Sequence, residues 1–196
     1  MIDEIFPCCI FSKDLDLDNK SLEKYALFLK KENQGGVTKS NQGGYHTFDL
    51  PFLEEEVLTP LYNELIKCLD DYKNHLHFKQ NLKSQIENMW IIINDENNYN
   101  LSHTHPGSVF SGVYYINAPE NSGDIVFENP SASYMQYDWN DTYKENYNRL
   151  NAETFFYKAV TGKLILFPSW LTHRVTSNLS NKKRIALSFN SKFYNE

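Results

Sequence analysis

From Met89 onward the chain breaks into short apolar or alternating runs: "MWIIIN", "FSGVYYI", "DIVF", "TFFYKAV", "KLILF" and "RIALSFNSKF". Side chains two apart on a strand share a face, so each run can bury one face or both. Gly, Pro, Asn and Asp punctuate them, the pattern of an antiparallel sandwich or barrel. The aromatic content, 13 Tyr and 13 Phe, suits pleated surfaces. Helical spacing precedes the strands. Leu22, Tyr25, Ala26 and Leu29 recur on one stripe, with Gly35 and Gly36 as the stop. A second helix is expected from Pro60 into the low seventies, capped by Thr59 and striped by Leu61, Leu65, Ile66 and Leu69. A first strand, broken by Pro7, is expected over Ile5 to Phe11. The sum is an α+β, mainly β chain with helices packed on a sandwich.

Length and composition limit the rest. With 196 residues and no repeat or linker, one domain over 1–196 is expected, its helices mainly within 19–77 and its β core within 86–194. The net charge of −6 argues against extended nucleic acid or an anionic membrane surface as partner. Three cysteines make no disulfide framework: Cys8 and Cys9 are adjacent, on opposite faces of the expected strand, and Cys68 falls on the second helix's apolar stripe. The N-terminus lacks a signal peptide's basic start and apolar stretch, and no run reaches membrane-spanning length. A cytoplasmic setting is the expectation. Oligomeric state is not legible.

Candidate chemistry centres on "NLSHTHPGSVFSGVYYIN". His103 and His105, two apart in an extended segment, can offer two imidazoles to one ion, and His173 in "LTHRVTSN" supplies a distant third. Histidine spacing alone leaves solvated or core roles open. Arg184 adds weight. It begins "RIALSFN", where Arg184, Ala186 and Ser188 share one face. A guanidinium turned into a sandwich is costly unless it meets an anion, whether a structural carboxylate or a ligand. In "SGVYYI" one face carries Ser111, Val113 and Tyr115, so Tyr115 can look into the sandwich or serve as a core aromatic.

The chain resembles the iron- and 2-oxoglutarate-dependent oxygenases, in particular a bacterial and phage group with an HxH…H motif. "IFPCCIF", "SNQGGYHTFDL", "HTHPGSVFSGVYYINAPENSGDIVFENP" and "GKLILFPSWLTHRVTSN…RIALSFN" carry the resemblance along nearly the whole length. It implies a double-stranded β-helix, or jelly roll, enclosing Fe(II). His103 matches the first ligand of the usual HxD pair and His173 the distal ligand. Arg184 matches the residue that grips the far carboxylate of 2-oxoglutarate, with Ser188 and Tyr115 beside it. His105 is the departure: the wider superfamily has a carboxylate there. A third neutral imidazole leaves a ferrous centre one charge more positive. Asp124 in "SGDIVF" matches a strand start that is not normally a ligand. The activity implied is hydroxylation of an unidentified substrate by dioxygen, with release of succinate and carbon dioxide.

Two alternatives stand beside it. One is a three-histidine, cupin-type metal oxygenase without 2-oxoglutarate, in which Arg184 and Ser188 have no task. The other is a non-catalytic jelly-roll binding module. Elsewhere His75 and His77 read as helix-end surface, His46 as structural and "LEEEV" around Glu54 as solvated helix. The long segment 129–151, with Trp139 and several tyrosines, reads equally as a substrate lid or as cover for the sandwich edge.

Overall fold

The computed structural model describes residues 1–195. Its first helix, α1 (Asn19–Glu32), starts at Asp18, whose carboxylate accepts the Ser21 N–H at 3.1 Å. Leu22 and Ala26 form its buried stripe. The second, α2 (Thr59–His75), buries Leu61, Leu65, Cys68, Leu69 and Tyr72. Thr59 does not cap it. A 3₁₀ turn, Glu56–Leu58, runs straight into the helix, so Thr59 is already helical and no side chain caps the end. Glu54 lies in the turn before it rather than on a helix.

Eleven strands make two antiparallel sheets. In chain order they are β1 (Phe11–Asp14), β2 (Asn41–Gln42), β3 (Tyr45–His46), β4 (Leu82–Asn94), β5 (Tyr99–His103), β6 (Phe110–Asn117), β7 (Ile125–Glu128), β8 (Thr154–Tyr157), β9 (Lys163–Pro168), β10 (His173–Val175) and β11 (Arg184–Asn195). The larger sheet runs β1-β9-β6-β11-β4-β3 and the smaller β2-β5-β10-β7-β8. From β4 to β11 the chain shuttles between them, the winding of a double-stranded β-helix. The N-terminal expectation fails: the first strand begins at Phe11. Phe6 has a φ of 57°, the left-handed region, and Pro7 follows, so an extended ladder cannot run through Ile5 to Ile10. Cys8 is therefore an exposed residue of an irregular segment and Cys9 a half-buried one.

Alternation on β11 divides the large sheet's two faces. Ile185, Leu187 and Phe189 join α1 and α2 in the main apolar core, while Arg184, Ala186, Ser188 and Asn190 face the space between the sheets. Gly112 lets the outer layer close: a Cβ there would lie 2.4 Å from the Phe189 ring. Tyr114 points outward and Tyr115 inward, as the alternation of "SGVYYI" requires. A smaller inter-sheet cluster includes Val113, Tyr115, Ile165, Phe167 and Ala186 of the large sheet with Ile125 and Phe127 of the small one. It fills only part of the gap. The remainder is a cavity.

Candidate metal and diacid site

Three histidines converge where the small sheet opens. His103 ends β5, His173 begins β10, and the two are paired in register across the strands. His105 follows β5 on a loop whose backbone is anchored by the His105 N–H donating to Ser169 O at 2.9 Å. Ring centroids stand 4.4 Å apart for His103 and His173, 5.0 Å for His103 and His105, and 5.1 Å for His105 and His173. One ring nitrogen from each lies within 4.8 Å of the others.

The tautomers follow from the backbone. A carbonyl can only accept, so His103 Nδ1 donates to Leu101 O (2.7 Å) and His173 Nδ1 to Leu171 O (3.0 Å). Each neutral ring then carries its lone pair on Nε2, the usual state of a metal-binding imidazole with a fixed outer partner. That of His173 is unengaged among the described residues, while that of His103 has the Ser40 hydroxyl at 3.4 Å as a long donor. Burial, with His103 nearby, pushes the His105 pKa down to about 4. Burial, then the His103 ring, pushes His173 down to about 3. His103 is lowered as well, by burial. At neutral pH the site therefore presents lone pairs rather than positive charges. No carboxylate joins the cluster among the described residues. Asp124 is engaged elsewhere, accepting the Ala159 N–H at 3.1 Å.

Arg184 is 3% exposed, and among the described residues it has no carboxylate partner in an ion pair. Its Nη1 donates to Ser122 O (2.6 Å) and Thr176 O (3.4 Å). Burial disfavours its charge and lowers its pKa, with Tyr115 and Asp124 acting in the other direction. Gly123 makes room for it: its φ is +89°, and a Cβ there would stand 2.6 Å from Nη1 and 2.3 Å from Thr176 O. Tyr115 is buried with its hydroxyl unpartnered, and burial holds the phenol protonated, hence a donor. Ser188, half-buried, lies on the same face.

All six sequence candidates line one cavity of about 490 Å³: His103, His105, His173, Tyr115, Arg184 and Ser188. Three further lining residues carry buried polar atoms without partners: Asn88 Oδ1, Trp90 Nε1 and both amide atoms of Asn94. Buried polar atoms in native proteins are nearly always bonded to protein, water or ligand, so this concentration makes the cavity a polar seat with hydrogen-bonding capacity to spare. The donor set fits both implied groups. Neutral imidazoles suit a divalent iron, and a guanidinium beside a phenol suits a carboxylate.

Sequence reasoning missed part of the lining. His46 has the structural bond expected of it, Nδ1 donating to Thr47 O at 2.6 Å, but its ring also lines the cavity, stacked 5.6 Å from Trp90 at 6°. Trp90 in turn sits 5.9 Å from the His105 ring. Period-two alternation in "ENMWIIIN" could have put Asn88, Trp90 and Asn94 on one face, but not said which. His75 and His77 are exposed, as anticipated. Residues 129–151 hold α3 (Ala132–Asp138), and none of them lines the cavity. They lead from β7 to the edge strand β8, with Tyr134, Tyr137, Trp139, Tyr143 and Tyr147 exposed.

Such a jelly roll, with a histidine cluster and a buried cationic seat in one cavity, defines an oxygenase of the non-haem iron class. Residues 88–190, just over half the chain, match the family model described as "Putative 2OG-Fe(II) oxygenase", and the chain belongs to that family. It is an oxidoreductase that works with Fe(II) and 2-oxoglutarate. Solved structures agree on the fold. A Pseudomonas putida prolyl-4-hydroxylase aligns at 11% identity over 94% of this chain and 92% of its own, with a TM-score of 0.63. A viral collagen prolyl hydroxylase from Paramecium Bursaria Chlorella virus-1, in complex with 2OG, aligns at 16% identity over 93% and 94%, TM-score 0.58. HygX from Streptomyces hygroscopicus, with nickel and 2-oxoglutarate bound, aligns at 10% identity over 94% and 82%, TM-score 0.59. No curated protein matches the sequence. Among the described residues no helix is long and apolar enough to cross a membrane.

Proposed function

We propose that His103, His105 and His173 hold the iron, that Arg184, Tyr115 and Ser188 receive the far carboxylate of 2-oxoglutarate, and that the enzyme hydroxylates an organic substrate. One observation carries this reading: a buried guanidinium without a carboxylate partner among the described residues faces the same cavity as three neutral imidazoles. When bound, iron and 2-oxoglutarate supply the oxidising chemistry, one oxygen atom of dioxygen ending in succinate and the other in the product hydroxyl.

The protein's part is geometry and charge. The Leu101 and Leu171 carbonyls fix two of the imidazoles in the tautomer with an unprotonated Nε2. Arg184 is a fixed cation for the diacid, neither acid nor base, and Tyr115 donates a neutral hydrogen bond beside it. His105 in place of a carboxylate makes the ferrous site one charge more positive than an HxD site, which favours anionic ligands. Exposed Lys39, Asp49 and Ser102 rim the open side of the cavity, where a substrate would enter. We further propose a cytoplasmic enzyme folded as one domain over 1–196, a setting that its three free cysteines suit.

The test is Arg184→Met, read by titrating 2-oxoglutarate into protein loaded with Zn(II), which is redox-inert. Loss of a buried charge pair should weaken the diacid by about 100-fold or more, with metal stoichiometry retained. Unchanged 2-oxoglutarate affinity would remove the basis for the assignment.

A further inference from the structure

We propose that Asn94 is a fourth hydrogen-bonding residue for the far carboxylate of 2-oxoglutarate, beside Arg184, Tyr115 and Ser188, and that it helps the cavity select a diacid over a monoacid. The inference rests on the reading of Arg184 given above.

Asn94 ends β4 directly opposite Arg184, the two being partners in the β4–β11 register. Side chains at directly opposed positions that share a face are close enough to act on one group. The Asn94 side chain is fully buried and lines the cavity, yet among the described residues neither Nδ2 nor Oδ1 has a partner. Its backbone, by contrast, is pinned: Asn94 O accepts from Asn178 Nδ2 at 3.0 Å, and Asn178 Nδ2 also donates to Lys182 O at 2.8 Å. Gly44 leaves the amide its space, since a Cβ there would stand 3.2 Å from Oδ1. The next inward residue on the same strand is Ile92, so the amide has an apolar neighbour on its own face.

A bare amide in such a position is unfavourable for the free protein and is explained by a ligand. The counts of donors and acceptors agree. A carboxylate offers about four lone-pair sites, and a guanidinium carries five N–H donors. Nη1 of Arg184 is already shared with Ser122 O and Thr176 O. The remaining guanidinium donors, the Tyr115 hydroxyl and Asn94 Nδ2 can share the anion. Asn94 Oδ1 can then accept a guanidinium N–H that the anion does not use. Binding thereby gives partners to atoms that lack them in the free protein.

The experiment compares 2-oxoglutarate with 2-oxobutyrate, an oxo acid with the same head and no second carboxylate, by calorimetry on Zn(II)-loaded protein. Asn94→Leu should weaken 2-oxoglutarate by about 10- to 100-fold, the range for one hydrogen bond to a charged group. It should leave 2-oxobutyrate within about twofold and should not lower the melting temperature, because no bond in the free protein is lost. Asn94→Asp keeps the shape and places a carboxylate against Arg184. It should weaken 2-oxoglutarate further still, and it carries the test if the leucine variant fails to fold. Equal weakening of both oxo acids, or unchanged 2-oxoglutarate binding in either folded variant, overturns the proposal. Arg184→Met separates the two levels. If it weakens the diacid while both Asn94 variants do not, only the role of Asn94 falls; if it too has no effect, the assignment of Arg184 falls with it.

Discussion

Tyr114 and Tyr115 are neighbours in sequence and equally buried, yet they live in different molecules, so to speak. Tyr114 looks outward from β6, and its hydroxyl donates to Asn19 Oδ1 at 2.7 Å, tying α1 to the sheet. Tyr115 looks inward, and its hydroxyl has no partner. The same contrast runs the length of the large sheet. Outside, two other core tyrosines are also bonded, Tyr45 OH to Leu29 O and Tyr72 OH to Cys9 O, while the hydroxyl of Tyr25 on α1 is an exception. Inside, Asn88, Trp90 and Asn94 have unmatched atoms and Arg184 has no counter-ion among the described residues. One face of a single sheet holds the fold together. The other turns polar atoms without protein partners toward a cavity.

The largest effect that would test this division lies on the outer face. Leu187→Ala removes a fully buried side chain from the helix-facing core. It should cost about 2–5 kcal/mol and lower the melting temperature by roughly 5–15 °C, while the stoichiometry of metal binding in the folded fraction stays the same. A stability loss below about 0.5 kcal/mol would deny that face its structural role.

A smaller effect should come from the inner face through pH. In the metal-free protein His105 titrates at about 4 and His173 at about 3, against an ordinary 6.5. Between those values the unfolded chain binds more protons than the folded one. Their stabilising contribution is therefore complete above 6.5 and declines as pH falls toward 4. Urea midpoints of metal-free protein should drop over that window, and the drop should shrink in His173→Asn. A flat profile would mean that these rings are not buried as neutral groups.

The smallest effect is the most direct comparison. Tyr114→Phe breaks a bond and should cost about 1 kcal/mol. Tyr115→Phe breaks none in the ligand-free protein and should be neutral or slightly stabilising, with weaker 2-oxoglutarate binding as its signature. Matching losses of stability from the two phenylalanines would erase the distinction between the faces.

What the amino-acid order discloses is whatever alternates locally. "RIALSFN" separates its two faces unaided, and β11 obeys it, Leu187 outward and Ser188 inward. "HTH" likewise delivers two imidazoles to one place, because a strand end and the first loop residues keep them together. Features that depend on partners distant in sequence are hidden. His46 looks solitary in the chain, but β3 pairs with β4 and its ring lands on Trp90. Asn94 gains meaning only from lying opposite Arg184, ninety positions on. The failed expectation at Ile5 to Phe11 has the same root: apolar content implies a strand, but the left-handed turn at Phe6 is settled by packing rather than by composition. Thr59 was misread because no sequence pattern announces a 3₁₀ turn feeding directly into a helix.

Gly123 gives the inner face one more property. With its backbone in a conformation that suits glycine, and with Ser122 O and Thr176 O both engaged by Arg184 Nη1, the guanidinium is clamped from behind before anything arrives in front. A clamped cation loses little freedom when it captures an anion. It also cannot follow one. On the proposed assignment, a seat held this way would favour one length of diacid over those one carbon shorter or longer.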